Sequence, residues 1–384
     1  MRLLHTSDWH VGRTIQGRSR ADEFEAVLDE LVRIATAERV DAVLVSGDLF
    51  DHRVAHADAE RLIFETLARL VVERIHIVAI PGNHDPADRW DAFRPLLEPL
   101  GVHVVPFVRP PDEGSVVEIS SRDGTERLVA ACVPFVPERK LGSAAALFAG
   151  SEHWSMAYAQ GVGDLFEAMS RAFRPDAVNV LMAHCFATDV QLGGGENELT
   201  VTLDYAVPPA RFPGTATYIA LGHVHKPQAI GGSPAPARYA GSLLQLDFGE
   251  REQRKSVTLV EAAPGKPARI RVVPLTAGRQ LIDVAGTLDE LRAQAATFGD
   301  AWLRVTVRTD GPVPGIADEV RQILPSAVIV RSEHPRLEDA EPTEPVAGLA
   351  PREQFVRYYR AKHAAETPAG ILAAFDEVRT AVSQ

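Results

Sequence analysis

Residues 75–80, Ile-His-Ile-Val-Ala-Ile, form an apolar, β-branched run that stops at Pro81-Gly82 and then presents Asn83-His84-Asp85. Such a run reads as a buried strand that delivers polar side chains at its C-terminal tip. In open α/β sheets ligands bind outside the carboxyl ends of the strands, so this tip is where chemistry belongs. The arrangement recurs four times. Residues 2–6 run into Ser7-Asp8-Trp9-His10, residues 41–46 into Gly47-Asp48-Leu49-Phe50-Asp51, residues 178–182 into Ala183-His184, and residues 218–221 into Gly222-His223-Val224-His225. A chain with five such strands is constrained to an α/β architecture that gathers its polar clusters at strand ends.

The intervening segments agree with that reading. From Asp22 to Glu38, Phe24, Val27, Leu28, Leu31, Ile34 and Ala35 keep helical spacing, and a second amphipathic helix covers about residues 57–73. The resulting β-α-β-α-β order implies a parallel sheet with right-handed crossovers. Further on come a helix over 89–97, a strand over 102–105, a hairpin around Asp123-Gly124 and a helix over 156–173. Residues 238–240, 256–260 and 270–273 read as antiparallel strands.

Composition shifts near Gly278, after which residues 276–334 spell β-α-β-α-β, compact enough for a small second domain. Residues 335–350 are acidic, carry Pro335, Pro342 and Pro345, and read as a linker. Pro351 and Pro368 stand at the first turns of two short amphipathic helices over 351–384. Such helices beyond a linker bury their own faces poorly, so they are expected to dock on a partner through Phe355, Tyr358, Tyr359, Ile371 and Phe375.

Asp8-x-His10, Asp48, Asn83-His84, His184 and His223-x-His225 all fall within a few residues of a strand end. Carboxylate, imidazole and amide oxygen together suit borderline-to-hard divalent cations. Leaving His84 aside, the seven groups exceed one ion's needs and fit two ions sharing a bridging carboxylate, which can clamp both oxygens of an in-line phosphoryl displacement. Each D-x-H or H-x-H pair puts both side chains on one face, because strand side chains alternate with period two. The net charge of −12 argues against nucleic-acid binding by bulk positive charge, so a phosphate-bearing substrate needs local cations. Arg13, Arg18, Arg20, Arg53 and Arg89 lie near the motifs and are the candidate phosphate contacts. Trp9 is read as packing beside the site, with stacking on a DNA base as the alternative. Two cysteines make no disulfide framework, no run is long enough to span a membrane, and the N-terminus turns polar too soon for a signal peptide, so a cytoplasmic protein is expected.

The motifs D-x-H, G-D-x-x-D, G-N-H-D, H and G-H-x-H resemble those of the calcineurin-like metallophosphoesterase superfamily. Thr6–His10, Gly47–Asp51, Gly222–Gln228, Tyr239-Ala240-Gly241-Ser242 and Asp247-Phe248-Gly249-Glu250 are similar to the SbcD-type nuclease subunits within it. The resemblance implies a two-sheet α/β sandwich flanked by helices over residues 1–275, a small α/β capping domain, and a C-terminal helix-loop-helix that binds an SMC-like SbcC ATPase. It implies one ion on Asp8, His10, His225 and the bridging Asp48, and another on Asp48, Asn83, His184 and His223, with Mn²⁺ preferred. His84 would serve the leaving oxygen, and Asp51 would hydrogen-bond His84 and keep it oriented and cationic. The implied activity is hydrolysis of DNA phosphodiesters at ends and hairpins in DNA repair and recombination, by a homodimer within a heterotetramer, associated with the nucleoid. A phosphodiesterase acting on cyclic nucleotides or other small phosphoesters is the alternative.

Overall fold

The computed structural model describes residues 1–137, 151–194, 196, 206–311, 313–334, 349–363 and 366–382. Residues 335–348 of the expected linker, and Gly195 in the glycine-rich loop after His184, lie outside the described residues. The strands of the first half are β1 (Arg2–Thr6), β2 (Ala42–Ser46), β3 (His76–Ile80), β4 (Val102–Val104), β5 (Val116–Ser120), β6 (Arg127–Val133), β7 (Val178–His184), β8 (Phe186–Ala187) and β9 (Ala206–Val207). They are followed by β10 (Tyr218–Gly222), β11 (Gln228–Ala229), β12 (Ala237–Tyr239), β13 (Ser256–Ala263) and β14 (Lys266–Pro274). Helices α1 (Ala21–Ala37), α2 (Ala57–Val72), α3 (Ala87–Leu97) and α4 (Ser151–Ser170) are interspersed.

Two six-stranded sheets result, ordered β14-β13-β1-β2-β3-β4 and β11-β12-β10-β7-β6-β5. β1 to β4 are mutually parallel, as the crossover helices require, and β13 closes against β1 antiparallel. Period-two alternation decides what each face meets. In β2, Ala42 and Leu44 join an inner core with Val180 and Met182 of β7, while Val43 and Val45 face the apolar stripes of α1 and α2. On the other side, Leu181 and Ala183 of β7 pack with Val162 and Phe166 of α4. The body is therefore a helix–sheet–sheet–helix sandwich, and strands buried on both faces explain why their sequences are continuous apolar runs.

Two expectations need correcting. Residues 237–239 pair antiparallel with β11, as expected, but run parallel to β10 on the other side, because residues 223–236 bring the chain back in the same direction. The helix expected to reach Phe173 ends at Ser170, and residues 171–173 continue it as tighter turns whose N–H groups reach three residues back, to Ala168, Met169 and Ser170.

β15 (Leu281–Gly286), α5 (Leu288–Gln294), β16 (Trp302–Arg308), α6 (Ile316–Ile323) and β17 (Ala327–Glu333) make a parallel three-stranded sheet with a core of its own. A small cluster of Ile15, Phe248, Leu281 and Trp302 joins this sheet to the sandwich. The Trp302 indole N–H donates to Glu23 at 2.8 Å, and Arg20 grips the same carboxylate through Nε and Nη2 at 2.9 and 2.8 Å. Residues 1–308 and 313–333 form one compact unit.

The other unit contains α7 (Pro351–His363) and α8 (Ala369–Val382). Phe355 and Phe375 stack between the helices with ring centres 4.3 Å apart, and Arg352 pairs with Asp376 at 3.0 Å. Among the described residues of the two helices none is buried, and Tyr358, Ile371 and Val378 stand exposed.

Candidate metal centre

Five strand ends converge. β1 delivers Asp8 and His10, β2 delivers Asp48, β3 delivers Asn83 and His84, β7 ends in His184, and β10 leads into His223 and His225. The loops after β1 and β2 are zipped together, with the Asp8 N–H donating to the Gly47 carbonyl at 2.9 Å and the His10 N–H to the Asp48 carbonyl at 3.0 Å. A third loop is tied in by Asp85, whose carboxylate accepts N–H bonds from Phe50 and Gly82, both at 2.9 Å. Burial, with Asp48 nearby, pushes the Asp85 carboxyl up to about 6.

The motif glycines are there because these loops touch side chains directly. A Cβ on Gly47 would lie 2.1 Å from the His184 ring, and one on Gly82 would lie 2.1 Å from Asp48 Oδ1. Four site residues that are not glycine nonetheless hold left-handed backbone: Asp8 (φ 50°), His10 (φ 48°), Asp48 (φ 53°) and His223 (φ 103°). Non-glycine residues in that region are uncommon and strained.

The side chains gather as three groups, one of which links the other two. Donor atoms of Asp8, His10 and His225 lie within 4.8 Å of one another, as do those of Asp48, His184 and His223, and Asp48 is grouped also with His10 and His84. Asn83 Oδ1 stands 3.1 Å from His184 Nε2 and 3.0 Å from His223 Nδ1. His184 donates from Nδ1 to the Ser46 carbonyl at 2.8 Å, which leaves Nε2 facing Asp48 at 3.4 Å. All of these side chains are buried except Asn83 and His84, which are partly exposed.

The electrostatics favour a cation at the centre. Burial disfavours a charged imidazole at His184, yet Asp48 outweighs it and lifts His184 to about 9. Burial likewise opposes ionisation of Asp48, but His184 and His10 hold its carboxyl well below the usual range. Neither ring nitrogen of buried His10 makes a well-formed hydrogen bond. Buried polar atoms in proteins are as a rule paired, and the His10 nitrogens, unlike other unpaired buried atoms such as Trp90 Nε1 and Ser256 Oγ, lie among carboxylates, which fits divalent ions. The donor set matches: two carboxylates, four imidazoles and one amide oxygen suit two ions sharing Asp48.

Several expected contacts differ. His84 does reach Asp51, but through the main chain: His84 Nδ1 donates to the Asp51 carbonyl oxygen at 2.7 Å. The Asp51 carboxylate turns the other way, to His10 Nδ1 at 3.4 Å and Arg13 at 3.2 Å. The Asp51 carbonyl therefore meets His84, and its carboxylate faces His10. Arg20 is fully buried on Glu23 and the Gln245 carbonyl, so it cannot meet a phosphate. Arg53 is exposed, Arg89 pairs with Glu60, and the Arg18 guanidinium stands 6.0 Å over Trp302. Trp9 is buried and donates to Thr6 at 2.9 Å, which leaves no face for a base.

Two residues beside the centre carried no assignment. Phe135 stacks on His223, with ring centres 6.1 Å apart and planes 24° from parallel. Glu250 accepts from His225 Nδ1 at 3.0 Å. The available signal for Glu250 was its place in the run Asp247-Phe248-Gly249-Glu250, in a loop whose Leu243, Leu244, Leu246 and Phe248 are all buried.

Comparison with known proteins agrees with this geometry. Residues 1–227 match the family described as calcineurin-like phosphoesterase, and residues 277–363 match that described as type 5 capsule protein repressor C-terminal domain. The chain is 35% identical over 318 residues to the SbcD subunit of nuclease SbcCD from Bacillus subtilis, covering 80% of this chain and 79% of that protein. Identity to the same subunit of Rhodobacter capsulatus is 32% over 347 residues, covering 85% of each chain. For Escherichia coli K12 it is 30% over 377 residues, covering 93% of this chain and 92% of the other.

Proposed function

Since the chain belongs to the calcineurin-like phosphoesterases and, among them, to the family of SbcD subunits of nuclease SbcCD, we propose that it is a metal-dependent phosphodiester hydrolase that cuts DNA within a complex. The observation that carries this reading is the convergence of seven donor side chains from five strand ends around Asp48.

In this reading Asp8, His10, His225 and Asp48 hold one divalent ion, and Asp48, Asn83, His184 and His223 the other, with manganese as the preferred metal. Bound there, such ions polarise a phosphoryl oxygen and make water nucleophilic near neutral pH. The chain's own groups do the rest. Asp48 sets the spacing of the two subsites, because its Oδ2 stands 3.7 Å from His10 Nε2 and 3.4 Å from His184 Nε2. His84 is held by the Asp51 carbonyl on Nδ1 and by Asp48 on its main-chain N–H at 2.8 Å. That leaves its Nε2 facing the site, and from the doubly protonated ring, with Nδ1–H on the carbonyl, the Nε2–H would pass to the leaving oxygen. Arg13, about 30% exposed beside Asp51, is the first candidate to meet a phosphate, with Arg18, Arg53 and Arg89 further out.

We further assign residues 1–275 to the nuclease domain and 276–334 to the capping domain, with 335–350 as linker. Residues 351–384 are the docking element for an SbcC-type SMC-like ATPase, and the assembly pairs two copies of this chain in a heterotetramer. DNA ends and hairpins are the substrates and the nucleoid is the place of action. No helix among the described residues is long and apolar enough to cross a membrane.

The test is hydrolysis of linear duplex DNA, bis-p-nitrophenyl phosphate and cyclic AMP with Mn²⁺, with and without the ATPase. DNA cleavage that disappears in Asp48→Asn is the expected result. Activity confined to the small esters in every combination would overturn the nuclease reading.

A further inference from the structure

We propose that Glu250 is a positioning residue for the metal centre: it holds the Nδ1–H of His225 and thereby turns Nε2 toward the ion. The inference rests on the two-ion reading. Glu250 Oε1 lies 3.0 Å from His225 Nδ1, and both side chains are buried. Its other oxygen is fixed by Lys255 at 2.7 Å and by the Leu246 N–H at 3.0 Å, while Ser242 Oγ, 3.3 Å away, gives its proton to the Leu244 carbonyl. With three donors on two oxygens, the carboxylate cannot swing away from the imidazole.

Lys255 matters for two reasons. A buried carboxylate without a counter-charge is strongly unfavourable, and Lys255, itself buried, provides the charge. The same ammonium donates to the His225 carbonyl at 3.0 Å and to Gln253 at 2.8 Å. Glu250 therefore holds the ring of His225 while Lys255 holds its main chain. The His225 N–H, in turn, donates to Glu196 at 3.0 Å.

Metal-bound histidines generally donate their other ring N–H to an oxygen that fixes tautomer and orientation, and losing that partner weakens metal binding by about 10–100-fold. His184 has such a partner in the Ser46 carbonyl, and His10 has the Asp51 carboxylate facing its Nδ1. Glu250 completes the set for His225. It also links the loop after β12 to the site, which no metal ligand does.

The experiment titrates Mn²⁺ calorimetrically into metal-stripped protein. Lys255→Met is included in each variant so that no buried cation is left unpaired. Wild type should take two ions. Glu250→Met/Lys255→Met should bind one of them about 10–100-fold more weakly and the other unchanged. Glu250→Gln/Lys255→Met, whose amide oxygen still accepts from Nδ1, should recover most of the loss. Wild-type affinity in the Met variant, or equal losses in both variants, would overturn the proposal. If the variants fail to fold, nitrogen-15 NMR of stripped wild-type protein decides: His225 should carry a proton on Nδ1, and a bare Nδ1 overturns the inference. A wild type that takes up no Mn²⁺ would instead defeat the two-ion reading.

Discussion

Asn83 and His84 are adjacent in the chain and serve different atoms. Asn83 turns its amide oxygen toward His184 and His223, while His84 leans away, with Nδ1 on the Asp51 carbonyl. Replacing His84 by alanine should therefore leave two Mn²⁺ bound per chain and lower turnover on DNA by about 10²–10⁴-fold, measured by calorimetry and single-turnover cleavage. Near-normal cleavage would remove His84 from the chemistry. At this scale the sequence was informative where chemistry and strand ends coincide, since polar side chains massed after a buried apolar run have little else to do than bind. It was uninformative where a side chain's direction depends on a neighbour distant in sequence. Nothing local says that the carbonyl, and not the carboxylate, of Asp51 faces His84. Arg20 likewise reads as a loop arginine until the fold encloses it with Glu23.

At the scale of elements, two contacts make distinguishable predictions. β1 carries His5 into the core between the sheets, where Nδ1 meets the Tyr218 hydroxyl of β10 at 2.9 Å. Burial, with Arg238 adding to it, pushes His5 down to about 3 from an ordinary 6.5. The unfolded chain thus gains a proton at His5 that the folded chain refuses, so stability falls as pH drops from 6.5 toward 3. The contribution is about 2–3 kcal/mol by pH 4.5. His5→Gln should flatten that part of the profile in denaturant titrations, and an unchanged slope would show that His5 is not responsible. The second contact is Glu23 of α1, which holds Arg20 and the Trp302 indole of β16 together. Glu23→Ala strands a buried guanidinium and should cost about 3–5 kcal/mol in chemical denaturation, whereas a loss below about 1 kcal/mol would mark the pair as no more than a surface bridge. Helices and parallel strands were legible because periodicity and element order decide them. The pairing of β12 with β10 was not, since nothing in three residues says that a strand antiparallel to β11 on one side runs parallel to β10 on the other.

The whole molecule separates into a large body and a helical pair with no buried residue among those described. Ending the chain at residue 348 should leave the melting temperature of the body within about 2 °C, since none of the described residues of the two helices is buried. Co-elution with the SbcC-type ATPase should disappear, and retained co-elution would place docking elsewhere. The two tail helices could be read from their proline starts and apolar spacing, but what they rest on could not, because a partner leaves no trace in one chain's periodicity. The body holds a tension of another kind. Asp8, His10, Asp48 and His223 sit in backbone that glycine would accept freely, and each costs on the order of 1–3 kcal/mol. A polypeptide under selection only to remain folded would not place aspartate and histidine there. Metal-free His223→Gly protein should cut nothing, and the strain it sheds is set against the buried ring, stacked on Phe135, that it loses, so the site's geometry is held in place by the same packing it burdens.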